Sequence, residues 1–182
     1  FNQVQLEATG ADISATSLGN TVKGLNRDVT IRDIVSTYIY PNTLKTLCVT
    51  RAQLKCALER SAEYFAIDAD GKLKVSESFL TPIEQHFNYD YFSGIEAAFD
   101  IRRSVGDRVV SIKYKGEELS GDKRLTLCMN NYRASGAGGY DIYRQCQTVR
   151  ELPTEIAELI IAYVDKHRNI TVDKHKWLKL IY

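Results

Sequence analysis

The segment from Leu125 to Tyr143, Leu-Thr-Leu-Cys-Met-Asn-Asn-Tyr-Arg-Ala-Ser-Gly-Ala-Gly-Gly-Tyr-Asp-Ile-Tyr, constrains the fold more than any other stretch of the chain. Its apolar run Leu125 to Met129 has the length and content of a buried strand, and Asn130 to Arg133 leads into a loop holding Gly136, Gly138 and Gly139. The loop closes on Tyr140. Glycines beside an aromatic let the backbone approach a ligand while a flat ring covers one of its faces, which suits a planar heterocycle such as a nucleobase. The same pattern describes a flexible hairpin loop whose tyrosine caps a local core. Its spacing matches neither a Walker loop nor a dinucleotide fingerprint, so on this segment alone both readings stand.

A chain of 182 residues fits one domain and buries roughly 70% of its unfolded surface without an accessory staple. The 24 basic and 23 acidic residues nearly cancel, which excludes a global field for nucleic acid polymers or an anionic membrane. Any nucleotide recognition is therefore local. No apolar run reaches the ~18 residues of a membrane span, and no charged-then-apolar leader precedes the first elements. The opening Phe1-Asn2-Gln3 begins in mid-pattern, as expected of a domain cut from a longer protein whose targeting signal lies upstream.

Cys48, Cys56, Cys128 and Cys146 form no Cys-x-x-Cys pair, and His86, His167 and His175 are scattered, which argues against a structural zinc site. Cys48 and Cys128 lie in apolar strand-like runs and are expected to be inaccessible, Cys56 falls on a helix, and a disulfide among the four is left open. No Asp-x-His, Gly-Asn-His or Gly-His-x-His cluster exists to hold a pair of metal ions, and no Ser-His-Asp order stands out. Asp141, Glu96 and Asp100 are candidate acid/base carboxylates only in the weak sense that they flank strands, where carboxylates are usually solvated. Catalysis within this chain is not expected.

Val4 to Ala8 and Ala11 to Thr16 read as short strands on either side of Thr9-Gly10, followed by a polar loop from Leu18 to Asp28. Thr30 is a good N-cap for a helix from Thr30 to Tyr38, and Thr50 caps a second from Arg51 to Phe65. Asp68 to Gly71 reads as a turn, and a third helix is expected over Pro153 to Lys166. Strands are expected around 44–49, 95–101, 108–115 and 124–130, with residues 166–182 an extended tail packed on the body. Strands interspersed with three main helices of unequal length predict an α+β fold with mixed sheets rather than regular βαβ winding.

Several of these segments taken together resemble the C-terminal domain of the 5'-nucleotidase family, most nearly its 2',3'-cyclic-nucleotide 2'-phosphodiesterase/3'-nucleotidase branch. They are Ala11-Asp12-Ile13-Ser14, Tyr38-Ile-Tyr40-Pro-Asn-Thr-Leu44 with the helix from Arg51, Gly94-Ile95 with Phe99-Asp100, Gly106-Asp-Arg-Val109, and Asn130-Asn-Tyr-Arg-Ala-Ser-Gly-Ala-Gly-Gly-Tyr140. The resemblance covers most of the chain in the family's order.

It implies a substrate-binding domain of a nucleotide hydrolase, whose chemistry belongs to an N-terminal metallophosphoesterase domain carrying a divalent metal pair and absent from this chain. The implied partners are nucleotides or nucleosides and that N-terminal domain, in an extracytoplasmic setting: periplasmic, secreted or cell-wall anchored. It also implies that two aromatic rings clamp the base, with Tyr40 at the first position and Tyr140 at the second, facing one another across an open slot. Asn131, Arg133, Gly138 and Gly139 complete the expected substrate-binding set. This sequence departs from the 5'-nucleotidase pattern, since Ser17 and Val22 stand where an Asn and an Arg contact substrate, with Asn20 and Lys23 as gapped substitutes. Gln145 stands near the usual ribose-contacting carboxylate. These departures favour the cyclic phosphodiesterase branch over a 5'-nucleotidase substrate domain, and a non-enzymatic binding module on the same fold is the remaining alternative.

Overall fold

The computed structural model describes residues 1–182. The chain runs α1 (Asn2–Thr9), β1 (Ile13–Thr16), α2 (Ile31–Thr37), β2 (Thr43–Thr50), α3 (Arg51–Ala62) and a small hairpin β3 (Phe65–Ile67) to β4 (Leu73–Val75). It continues with β5 (Tyr91–Ser93), β6 (Glu96–Asp100), β7 (Val109–Tyr114), β8 (Glu117–Glu118), β9 (Arg124–Asn130), α4 (Asn131–Ala134), β10 (Gln147–Glu155), α5 (Ile156–His167) and β11 (Leu178–Ile181). A five-stranded sheet has the order β10-β2-β9-β1-β5 and a four-stranded sheet the order β11-β6-β7-β8. Both are mixed, because β1 runs parallel to β9 and β11 parallel to β6 while the other pairs are antiparallel. The α+β expectation holds, with five α-helices in place of three.

Strand alternation divides the core. On β9, Leu125, Leu127 and Met129 point into a large cluster shared with α3 and the four-stranded sheet, as do Leu47 and Val49 of β2. Leu44 of β2 points the other way and packs with Val4, Ile34, Tyr38, Ile156 and Ile160 under α1, α2 and α5. The five-stranded sheet is thus covered on both faces. No helix is long and apolar enough to cross a membrane.

Both expected N-caps form capping boxes. The Thr30 hydroxyl accepts from Asp33 N at 3.2 Å and the Thr50 hydroxyl from Gln53 N at 3.3 Å, each returned by the third residue's side chain. The turn at Asp68 is held by its carboxylate, which accepts from the Asp70 and Lys72 amides at 2.9 and 2.8 Å.

Four expectations are corrected. The Val4–Ala8 strand is part of helix α1, because Asn2 and Gln5 share a buried polar face on which Gln5 Nε2 donates to Ser14 Oγ at 2.8 Å and to Ala15 O at 3.1 Å. Three-residue spacing, rather than the alternation of Val4-Gln5-Leu6-Glu7, decides the element. The second helix ends at Ala62 and Phe65 opens a strand, since Arg108 Nη1 donates to Ala62 O at 3.0 Å and Phe65 O at 2.7 Å and so satisfies carbonyls where the helix stops. The third helix begins at Ile156, because Pro153 sits in a register irregularity on the edge strand β10, a position where its missing N–H costs no ladder bond. Cys128 is buried, but Cys48 is only half-buried; all four thiols are free. The C-terminal tail packs on the body through β11.

Candidate functional site: an aromatic cavity at one end of the five-stranded sheet

Antiparallel pairing of β2 with β9 sets Leu44 opposite Asn130, so the residues just before β2 and just after β9 meet at one end of the sheet. Tyr40-Pro41-Asn42 precedes the one strand and Asn131-Tyr132 follows the other, and Thr43 N donates to Asn131 Oδ1 at 3.2 Å across the junction. A cavity of about 300 Å³ opens there. Tyr40, Tyr132, Phe87, Leu18, Asn42 and Asn130 are among its lining residues.

Tyr40 is 49% and Tyr132 51% exposed, so both rings present faces to solvent although each is a large aromatic. The Tyr40 ring lies over Gly19, where an added Cβ would stand 3.5 Å from its Cε2. Local geometry aims Tyr132 outward. Asn130 caps α4 by accepting from Arg133 N at 2.6 Å, and the short helix then turns Arg133 inward while its neighbour Tyr132 faces out. Tyr38 closes the cavity from below; burial raises its hydroxyl pKa, with hydrogen bonds to Asn42 and Asn130 pulling the other way.

Tyr140 is not across this cavity from Tyr40. It is 1% exposed, its hydroxyl lies 2.8 Å from Ser61 Oγ, and it accepts from Asp90 N at 3.1 Å and donates to Asn88 O at 3.3 Å. Its ring stacks on Tyr143 at 5.6 Å and lies under the Arg133 guanidinium, and burial raises its pKa. The expected pair of facing rings therefore fails at its second member, because three buried polar partners draw the hydroxyl inward.

Arg133 is equally closed off. Its Nε lies 2.9 Å from Asp90 Oδ2, Nη1 donates to Ala137 O at 2.6 Å, and Nη2 donates to Phe87 O at 2.7 Å and Ser17 Oγ at 3.4 Å. Burial pushes the Asp90 carboxyl up to about 6 even against the pull of Arg133. Gly138 and Gly139 are glycines for this buried network rather than for an open approach. A Cβ on Gly138 would stand 2.0 Å from Arg133 Nη1, one on Gly139 2.6 Å from Arg60 Nε, and both have positive φ. Arg133 thus fixes Phe87 and Ser17, both of which line the cavity, with Gly138 and Tyr140 packed against it and Gly139 against Arg60, while Asn131 ties α4 to β2.

Tyr132 escaped the sequence reading although it lies between Asn131 and Arg133. The signal was the Asn130 cap three residues before Arg133, which fixes the inward residue and leaves its neighbour outside. Ser17 and Val22 both line the cavity, whereas Asn20 turns away to donate to Glu84 O at 2.8 Å. Glu96 is engaged by His175 Nε2 at 3.0 Å, Asp100 is paired with Arg102 and held at about 2, and Asp141 is paired with Arg144; none reaches the cavity lining. No three His, Cys, Asp or Glu side chains gather in this chain to hold a metal ion.

The profile of the 5'-nucleotidase, C-terminal domain family matches residues 1–145. The chain is 23% identical over 155 residues to the trifunctional nucleotide phosphoesterase protein YfkN of Bacillus subtilis, covering 79% of this chain and 10% of that protein. It is 30% identical over 125 residues to the 2',3'-cyclic-nucleotide 2'-phosphodiesterase/3'-nucleotidase of Haemophilus influenzae, covering 59% of this chain and 18% of that protein. A Staphylococcus aureus structure with a provisional 5'-nucleotidase designation, solved in complex with alpha-ketoglutarate, superposes on all of the chain at a TM-score of 0.93 and 36% identity, over 35% of its own length. The chain therefore spans only a fraction, from 10% to 18%, of these curated relatives. With its fold, its Tyr-Pro-Asn-Thr-Leu and Asn-Asn-Tyr-Arg-Ala segments and the match over residues 1–145, the chain belongs to the 5'-nucleotidase C-terminal domain family.

Proposed function

We propose that this chain is the nucleobase-binding domain of a nucleotide hydrolase of the 2',3'-cyclic-nucleotide 2'-phosphodiesterase/3'-nucleotidase type, serving nucleotide breakdown outside the cytoplasm. The observation that carries the reading is the cavity of about 300 Å³ whose lining includes the two half-exposed rings Tyr40 and Tyr132. Tyr40 supplies one stacking face, as the resemblance implies, and Tyr132 supplies the second in place of Tyr140. Stacking contributes ~1–3 kcal/mol per ring and accepts any base, which suits a hydrolase taking several nucleotides. Asn42 and Asn130 offer amide groups for a base edge or ribose hydroxyl. Arg133 acts behind the site by holding Phe87 and Ser17, with Gly138 and Tyr140 packed against it.

The divalent pair that the resemblance implies would be held by a catalytic partner domain, which would also contact the phosphate. The test is titration of this chain with adenosine, followed by amide NMR shifts. The reading predicts shifts at Gly19, Asn130 and Tyr132 with an affinity in the millimolar range, since only base and ribose are held. It also predicts background hydrolysis of 2',3'-cyclic AMP in added manganese. No saturable shift at those amides, or metal-dependent turnover that survives repurification, counts against it.

A further inference from the structure

The wall of the Tyr40 cavity is held from behind by a buried ion pair. Asp90 and Arg133 are each 2% exposed, and Arg133 Nε donates to Asp90 Oδ1 at 3.1 Å. That contact fixes the plane of the guanidinium, whose other end donates to Phe87 O and Ser17 Oγ, and the Ser17 hydroxyl in turn hydrogen-bonds the Asp90 carboxylate. Phe87 and Ser17 line the cavity, whereas Asp90 and Arg133 do not. A buried ion pair is a poor device for stability, because apolar residues of similar volume often hold a core as well or better. What it supplies is direction: the charged carboxylate holds one edge of the guanidinium and so aims the remaining donors at the cavity wall.

Arg133 of α4 and, farther off, Arg60 of α3 favour the charged form of this carboxylate, while Tyr89, Tyr140 and Tyr143 stand around it with hydroxyls that burial keeps neutral. We infer that Asp90 is a positioning residue of the Tyr40 cavity: its carboxylate, acting through Arg133, holds Phe87 and Ser17 in the shape that takes a base, and protonation of that carboxylate releases them. The inference rests on the reading of the Tyr40 cavity given above and adds a control of that site by pH. Burial places the titration of Asp90 at about 6, so the control operates over roughly pH 5 to 7. Because that value lies above the pKa of an unfolded aspartate, protonation does not unfold the domain, and the loss is confined to the site. The coupling is reciprocal: if protonation weakens adenosine binding about tenfold, bound adenosine lowers the Asp90 pKa by about one unit.

The experiment follows adenosine binding through the Asn130 and Tyr132 amide shifts from about pH 8 to about pH 5, a range in which adenosine itself stays neutral. The affinity should fall about tenfold in wild type with a midpoint near 6, and should stay flat at the weaker value in Asp90→Asn. Without ligand, the Phe87 and Ser17 amides should shift with the same midpoint in wild type and not in the variant. The Asp90 carboxyl carbon, titrated with and without adenosine, should show its pKa lowered by about one unit when adenosine is bound. A merely structural carboxylate would not respond to the ligand, and this readout needs no variant. Two other ionisable groups stand at or beside the lining, the Phe1 amino group and the His86 imidazole. An affinity slope that persists in Asp90→Asn assigns the effect to one of them and overturns the inference. So does adenosine binding that is independent of pH, or an Asp90 pKa that adenosine leaves unmoved. In each of these cases the Tyr40 reading stands, whereas absence of adenosine shifts at Asn130 and Tyr132 at every pH overturns both.

Discussion

The Arg133 guanidinium lies 4.5 Å from the centroid of the Tyr140 ring, with Arg133 2% and Tyr140 1% exposed. A charged group and a ring are thus stacked inside the domain, with Asp90 as counter-ion. The glycine-rich segment that suggested a ligand surface instead carries a buried ion pair and a buried ring.

Removing the cation should be costly. Arg133→Ala strands the buried Asp90 carboxylate and three carbonyl or hydroxyl acceptors, and breaking a buried pair from one side costs about 3–5 kcal/mol. Urea unfolding monitored by circular dichroism measures it. A loss under about 1 kcal/mol would mean that water or another group replaces the guanidinium.

Tyr140 should behave as core. Tyr140→Ala should lose about 3–5 kcal/mol of stability through the cavity it leaves, and Tyr140→Phe about 1–2 kcal/mol through the hydroxyl bonds to Ser61, Asp90 and Asn88. Under conditions where it is folded, Tyr140→Phe should bind adenosine like wild type. Thermal unfolding and titration on the same samples separate the two roles, and an alanine variant of native stability with lost binding would return Tyr140 to the ligand surface.

Gly138→Ala should also destabilise. The residue has φ 74°, and its new Cβ would meet Arg133 Nη1 at 2.0 Å and Asn88 Oδ1 at 2.4 Å. The left-handed backbone alone costs about 1–2 kcal/mol, and the contact with Arg133 adds to it. Gly116→Ala, also at positive φ but with open space around its Cβ, is the control that reports the backbone part alone.

Asp90 gives the chain a pH dependence of unusual sign for a carboxylate. Its folded pKa, about 6, lies above the ~3.9 of an unfolded aspartate, so the folded state binds the extra proton between those values. Its contribution is full below about pH 4 and is lost as the pH rises to 6. Asp12 has the opposite sign: burial raises its pKa, but hydrogen bonds from Tyr114 and Thr126 together outweigh that and hold it low, so its contribution is lost in acid. Urea midpoints between pH 4 and 6 should show a downward slope in wild type that flattens in Asp90→Asn. An unchanged slope in the variant would contradict the assignment.

Much of the fold was legible because its signals are local. Thr30 and Thr50 announce their helices through reciprocal caps, and Leu125, Leu127 and Met129 alternate as a buried strand must. What was not legible depends on distant partners. Arg108 ends α3 from 46 residues away, and Ser14 draws Gln5 inward to make a helix of an alternating stretch. The candidate site divides in the same way. Tyr40 was singled out by the family resemblance and not by its position, whereas the burial of Tyr140 follows from Ser61, Asn88 and Asp90, which no local pattern connects to it. Tyr132 becomes visible only once the Asn130 cap and the inward Arg133 are known.

The most direct test of the account is adenosine affinity, read from amide shifts, in wild type, Tyr40→Ala and Tyr132→Ala. Each alanine should lose about 1–3 kcal/mol of binding, roughly 5- to 150-fold, with the unfolding midpoint nearly unchanged because both rings are half-exposed. Phenylalanine at either position should retain most of the affinity, since the ring face does the stacking. Adenosine affinity equal to wild type in both alanine variants would contradict the claim that this cavity holds the base.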